Sequence, residues 1–155
     1  MNTIALQSTV RRVLVEKRQG FDLEAQSLKR DLVESLHIDT IENIRVLNRY
    51  DVEDLSEEVF ENAAKTIFSE TNLDIVSYGK VEDINENDRV FAIEYLPGQY
   101  DQRGDWAAQC IQIVNDGKRP NISTAKVYIL SGNISDADFE RIKAYCINPV
   151  DSREA

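Results

Sequence analysis

The stretch RVFAIEYLPGQYDQRGDWAAQCIQIV, residues 89–114, contains two hydrophobic periodicities joined by a turn. Its first part, Val90–Ile93, is a short run of β-favouring apolar residues and predicts a strand. Pro97 and Gly98 end this strand, because proline removes a backbone donor and glycine permits positive φ. After Asp101, apolar residues recur at three- and four-residue steps and predict an amphipathic helix: Trp106, Ala107, Cys110, Ile111 and Val114.

The loop between this strand and this helix is dense in polar residues, and two interpretations stay open. In the first, Asp101 caps the helix and Gly104 lets two backbone segments approach closely. In the second, the loop contacts a partner, because polar groups on a glycine-flanked loop are typical of recognition. The candidate residues of the second interpretation are Pro97, Gly98, Gln99, Tyr100, Asp101, Gln102, Arg103, Gly104 and Asp105.

The same periodicities divide the rest of the chain into strands and helices. Strands are predicted at 9–18, 43–52 and 124–130, with a weaker one around Ile75 and Val76. Helices are predicted from Asp22 to His37, from Ser56 to Phe68 and at 133–147 with Ser135 as N-cap. The polar loop 85–88 is the best internal boundary. The sequence therefore predicts an α+β protein.

An internal repeat connects the two sides of that boundary. The segment LSEEVFE at 55–61 resembles ISDADFE at 134–140, and Glu16–Gly20 precedes Glu94–Gly98 by 78 positions. Such a nearly constant offset indicates a duplication. The alternative is that two unrelated helices share a capping pattern. In a duplication, two small halves related by a pseudo-two-fold axis pair their sheets and bury each other's open edges.

The apolar positions of these elements define an expected core. Its members are Leu23, Leu28, Leu32, Val59, Phe60, Ile67, Val90, Ile93, Cys110, Ile111, Val127, Ile129, Phe139 and Ile142.

Composition restricts the classes of partner. The chain has 155 residues and a net charge of −10, which argues against nucleic acid and against an anionic membrane surface as partners. The N-terminal sequence has no signal-peptide pattern, and we expect a cytoplasmic protein. Cys110 and Cys146 are expected to be small buried hydrophobes and not a disulfide.

Residues for catalysis or for binding a metal or cofactor are scarce. His37 is the only histidine, so neither a Ser-His-Asp site nor a histidine–cysteine metal site can be assembled in an obvious way. No glycine-rich phosphate-binding motif occurs. We therefore expect no catalytic, metal or cofactor-binding residues in this chain, and predict that it is non-catalytic in isolation.

Three segments resemble a known family: VLNRYDVEDLSEE, EYLPGQYDQRGDWAAQC and YCINPVDSREA. They are similar to the start of phosphoribosylformylglycinamidine synthase in its long single-chain form. Asp101–Gly104 with Ala107, Ala108 and Gln109 also resembles PurS, the small subunit of the multi-chain form. The resemblance extends over nearly the whole chain from Val10 onward, although no single motif is strongly diagnostic.

The resemblance implies a fold, a role and a set of boundaries. The fold is two fused PurS-like, ferredoxin-like halves at 10–84 and 85–147. A leader at 1–9 precedes them, and 148–155 starts a linker to a next domain. The role is to bridge the synthetase and glutaminase domains and support the ammonia path of a glutamine-dependent C–N ligase. ATP and magnesium are expected in the synthetase domains, not here.

Two questions stay open from sequence. The chain is either a fragment of the long enzyme or a free-standing subunit. Its function is either the assembly role or that of a non-enzymatic small-metabolite-binding module with the ligand at the seam between the halves. A reading frame that continues into synthetase and glutaminase domains would favour the assembly role.

Overall fold

The computed structural model describes residues 10–155, so the expected leader 1–9 and the first residue of the first predicted strand lie outside the described residues. The predicted α+β class is confirmed. In chain order the elements are β1 (Val10–Lys17), α1 (Leu23–Leu36), β2 (Ile41–Glu53), α2 (Glu57–Thr66), β3 (Asp74–Tyr78), β4 (Arg89–Tyr95), α3 (Gln102–Val114), β5 (Asn121–Gly132), α4 (Asp136–Cys146) and β6 (Ser152–Glu154). The short β6 is the element that the sequence did not predict.

The described strands form one antiparallel sheet in the order β3-β1-β2-β5-β4-β6. Pairs of facing residues in this sheet recur later in the chain, at the same sequence separation as that between Glu16 and Glu94. Val13 faces Tyr50 across β1 and β2, and at that offset Phe91 faces Tyr128 across β4 and β5. The edge pairs follow the same spacing, because the β1–β3 pair Val15–Val76 recurs as the β4–β6 pair Ile93–Glu154.

All four helices pack on one face of this sheet. Tyr50 and Val52 of β2 belong to a core cluster with α2 and α3, while Ile44 of the same strand belongs to a cluster with α1 and α4. Since side chains alternate along a strand, these even-numbered positions share a face. Each cluster therefore combines one helix from before the loop 85–88 with one helix from after it.

The other face has a narrow apolar centre between charged side chains. Leu14, Leu47, Val127 and Ile129 are buried there. Beside them Arg45 donates two hydrogen bonds of 2.8 Å to the Glu16 carboxylate.

The prediction of the core is wrong for two residues, which are exposed. Leu23 is 67% exposed, because the buried stripe of α1 runs through Ala25 and Leu32 and Leu23 points the opposite way. Val90 is 42% exposed, because it faces away from the helices while its neighbour Phe91 is buried against them. Of the remaining expected residues, six are buried (Leu32, Phe60, Ile111, Val127, Ile129, Ile142) and the others are partly buried.

Cys110 and Cys146 are both free thiols of intermediate burial. Within residues 10–155, no helix combines the length and the apolar character that crossing a membrane requires.

Candidate functional site

The loop between β4 and α3 is held by bonds within the chain. At its start the turn at Gly98, whose φ is +88°, is closed by the Gln99 amide, which donates to the Leu96 carbonyl at 3.0 Å. At its end the Asp101 carboxylate accepts from the Gly104 amide at 2.9 Å, which is an N-cap bond. Asp101 is therefore the N-cap of α3, as the first of the two sequence interpretations expected.

Asp101 also fastens the start of α3 to the sheet. Its carboxylate accepts from the Thr124 amide at 2.7 Å and from the Thr124 hydroxyl at 2.8 Å. One side chain therefore joins the loop, the helix and β5. A carboxylate with these internal bonds is part of the scaffold of the site and is not available as a ligand group.

Gly104 is buried where α3 crosses β5. A Cβ atom built on it would lie 2.7 Å from the backbone oxygen of Ile122, closer than real Cβ contacts occur. Only glycine permits this approach. The prediction that Gly104 lets two backbone segments come together is confirmed.

Asp105 binds together three neighbouring polar groups. Its carboxylate accepts from the Tyr100 hydroxyl at 2.6 Å and from the Gln109 amide at 2.9 Å, and it pairs with Arg119. Tyr100 nevertheless stays 67% exposed, so it is not a core residue. Pro97, Gly98 and Gln99 are exposed beside it.

Arg103 differs from the other charged residues of the loop. It is exposed, and within residues 10–155 no hydrogen bond or ion pair engages its guanidinium group. Together with Gln102 it lines a cleft of about 570 Å³ between α3, β4, β5 and the end of α4. The other side chains at the cleft are Asn48, Ile93, Glu94, Tyr95, Trp106, Thr124, Ala125, Lys126, Tyr128, Cys146, Asp151 and Ser152.

Burial sets the chemistry of the cleft's inner wall. It raises the pKa of the Cys146 thiol to about 11, so the thiol stays protonated at neutral pH. Burial also raises the pKa of the Tyr128 hydroxyl, which is a neutral donor for the same reason. The inner wall offers hydrogen bonds but no nucleophile.

Two ion pairs cross the rim of the cleft. Lys126 pairs with Glu24 of α1, and Glu94 pairs with Arg153 at 2.7 Å. These two ion pairs engage Lys126 and Glu94. The other two charged side chains of the cleft, Arg103 and Asp151, have no ion-pair partner within residues 10–155.

A second surface lies on the outer side of α3. Trp106 is 56% exposed, Ile113 83% and Val114 66%, although the sequence placed Trp106 and Val114 on the helix's apolar stripe. The residues of α3 that are buried against the sheet include Ala107, Ala108 and Ile111. The apolar residues of the helix extend beyond this buried side onto its exposed side.

The remaining candidates for chemistry are dispersed. His37 follows α1 as its left-handed C-cap and is exposed. Among residues 10–155, no group of histidine, cysteine, aspartate and glutamate side chains is arranged to hold a metal ion. What the described chain brings together is a polar cleft and an apolar surface that share α3.

Sequence reasoning did not find the cleft. Its walls come from strands and helices that are distant in sequence, and Asn48, Lys126 and Tyr128 have no local pattern in common. A signal was nevertheless present. Tyr50 and Tyr128 are separated by the offset of the predicted repeat, and comparing what surrounds the two tyrosines would have pointed to this region.

Neither the models of known protein families nor the curated proteins match this sequence.

Proposed function

We propose that the chain consists of two fused PurS-like halves with ferredoxin-like topology, related by a pseudo-two-fold axis through the sheet. The strand order supports this, because it reads the same from both edges once β1, β2 and β3 are matched with β4, β5 and β6. The recurrence of each register at one constant offset is a further support. The axis passes the pair Asn48–Lys126, whose members face each other and are separated by that same offset.

The packing of the helices supports the same arrangement. One core cluster combines α2 with α3, and the other combines α1 with α4, so each contains one helix from each half. Separating the halves would expose both clusters. A duplicated chain of this kind is a dimer within one polypeptide, and each half completes the core of the other.

From this architecture and the sequence resemblance we propose the function. The chain is the N-terminal assembly domain of phosphoribosylformylglycinamidine synthase, the ATP- and glutamine-dependent ligase of purine biosynthesis. It bridges the synthetase and glutaminase domains and supports the ammonia path between them. ATP and magnesium bind in the synthetase domains, and the protein acts in the cytoplasm.

The observation that carries the assembly role is the unpartnered apolar side of α3 beside the loop 97–105. Ile113 and Trp106 are more than half exposed, and a domain in water seldom exposes a large apolar patch without a partner. When α1 is aligned with α3 by placing Ala25 on Gly104, Ile113 corresponds to Glu34 and Trp106 corresponds to Ser27. Ser27 and Glu34 suit water, and Trp106 and Ile113 suit another protein surface.

The role is tested by separating ammonia transfer from synthesis in the enzyme that contains this chain. Ile113→Ser should lower glutamine-dependent synthesis several-fold while synthesis from added ammonia stays near the wild-type rate. The matched control is Leu23→Ser, which removes an exposed leucine from the start of α1. Equal glutamine- and ammonia-dependent rates in Ile113→Ser, at the wild-type level, would remove the assembly role.

A second candidate function is a non-enzymatic module that binds a small metabolite. The cleft of about 570 Å³ favours it, because this volume lies in the range of small-molecule sites and the cleft adjoins the proposed axis at Asn48 and Lys126.

A further inference from the structure

Two cavities of the protein share part of their walls. The first is the cleft of about 570 Å³ with Tyr128 at its inner wall. The second, of about 270 Å³, has at its inner wall Tyr50, the residue that the repeat matches with Tyr128. Asn48 and Arg103 line both cavities. The two cavities therefore offer a direct comparison of the same place in each half.

The smaller cavity is narrowed by side chains of the protein. The Phe68 ring stacks on Tyr50 with centroids 4.5 Å apart. Lys17 lies 2.9 Å from Asp74 at its edge, as an ionic contact without hydrogen-bond geometry. In the larger cleft, Cys146 is the small residue at the end of the matching helix. The repeat matches Tyr95 and Ser152 with Lys17 and Asp74, and these two residues form no such pair.

The larger cleft also contains polar atoms that lack partners. Tyr128 is only 8% exposed, and no group of residues 10–155 bonds to its hydroxyl. The side-chain oxygen of Asn48 is buried without a donor from the described chain. Buried polar groups in proteins are nearly always hydrogen-bonded, so the Tyr128 hydroxyl at the cleft wall suits a ligand.

We propose that this cleft binds a small zwitterion of the α-amino-acid class. Arg103 supplies a forked donor for the carboxylate. The Asp151 carboxylate accepts from the ammonium group, and the Tyr128 hydroxyl forms a further hydrogen bond. The exposed face of Trp106 covers the ligand's side chain.

The charges of the cleft select this class over a simple anion. With Lys126 held by Glu24 and Glu94 by Arg153, one positive and one negative side chain remain for the ligand. A phosphate would meet Arg103 but would also face the negative charge of Asp151. A zwitterion suits both charges.

The test uses Trp106, the only tryptophan of the chain, as a fluorescence reporter at the cleft. The 155-residue protein is titrated separately with L-glutamine, L-phenylalanine and inorganic phosphate. We expect a saturable change in emission with at least one of the two amino acids. Phosphate should give none, or saturate only at much higher concentration.

Four variants make the result specific. Arg103→Gln should weaken binding about tenfold or more, the loss expected for a charge-assisted hydrogen bond. Tyr128→Phe should weaken it about fivefold, the loss expected for a neutral one. Cys146→Phe should narrow the cleft as Phe68 narrows its counterpart and abolish binding. The control is Arg30→Gln, a change at an exposed arginine of α1 away from the cleft.

Folding of each variant is checked by circular dichroism, and Arg103→Gln decides the matter if Cys146→Phe does not fold. The proposal is overturned if neither amino acid saturates the signal, if phosphate binds as tightly as they do, or if Arg103→Gln binds like the wild type. It does not rest on the assembly role, whose test uses Ile113 and the complete enzyme, so either proposal can fail alone.

Discussion

Under the proposed duplication, helices α1 and α3 occupy matching places, and they differ mostly on the side away from the sheet. Their buried positions are alike in kind, because Leu32 in α1 and Ile111 in α3 are both fully buried. On the outer side, Ser27 and Glu34 of α1 correspond to Trp106 and Ile113 of α3. Packing against a common sheet keeps the inner sides similar, so under the proposed duplication a difference in role should be found on the outer sides.

The largest expected difference in stability between the halves concerns two phenylalanines that match in sequence. Phe60 is 5% exposed and lies in the cluster of α2 and α3. Phe139 is only partly buried, and the guanidinium carbon of Arg89 and the amine of Lys143 lie 5.2 Å and 4.7 Å from its ring centre. Phe60→Ala should lower the free energy of unfolding by about 3–5 kcal/mol, as truncation of buried phenylalanine does.

Phe139→Ala should cost less, about 2 kcal/mol, because part of the ring already contacts water. Urea denaturation of both variants measures the difference. A larger loss at Phe139 than at Phe60 would mean that the second cluster dominates stability, contrary to the burial of the two rings.

The sequence was sufficient for most strands and helices because their periodicities are local. Val90–Ile93 and the stripe after Asp101 each carry the signal of their own element. The strand β6 was missed, since Ser152–Glu154 is short and polar and becomes a strand only by pairing with β4. The burial of Leu23 was predicted wrongly, because an apolar residue type does not by itself show on which side of α1 the residue lies.

The site was less accessible to sequence reasoning than the fold. Asp101 and Gly104 were identified, because capping and close approach are functions of one residue and its neighbours. The cleft exists because Cys146 places a small side chain at its wall. Its charge depends on ion pairs between residues that are distant in sequence, such as Lys126 and Glu24. Neither is visible before the strands are placed in register.

A smaller effect separates the two aspartates that precede α1 and α3. Asp101 bonds to the amides of Gly104 and Thr124, whereas Asp22 makes no cap bond to α1 and, in the described chain, accepts from the Gly20 amide and the Gln26 side chain. Asp101→Ala should therefore cost about 2–3 kcal/mol, from a lost cap and an orphaned amide. Asp22→Ala should cost less than about 1 kcal/mol. Thermal or urea unfolding compares them, and equal losses would show that the link to β5 contributes nothing.

The smallest effect concerns the position at which the two helices approach the sheet, where α1 has Ala25 and α3 has Gly104. Two opposing effects act in Gly104→Ala. Replacing glycine inside a helix gains about 1 kcal/mol, and forcing a methyl group into a filled space costs about 1–3 kcal/mol. Since the new carbon would lie 2.7 Å from a backbone oxygen, which cannot rotate away as a side chain can, the cost should prevail.

We therefore expect Gly104→Ala to destabilise the protein by about 1–2 kcal/mol in urea denaturation. The converse change, Ala25→Gly, should cost about 1–2 kcal/mol, because it lowers helix propensity and removes a methyl group that is buried in the core. A Gly104→Ala protein more stable than the wild type would mean that α3 can move away from β5. The close approach would then be a consequence of the glycine and not a requirement of the site, and the cleft beside it would be free to widen.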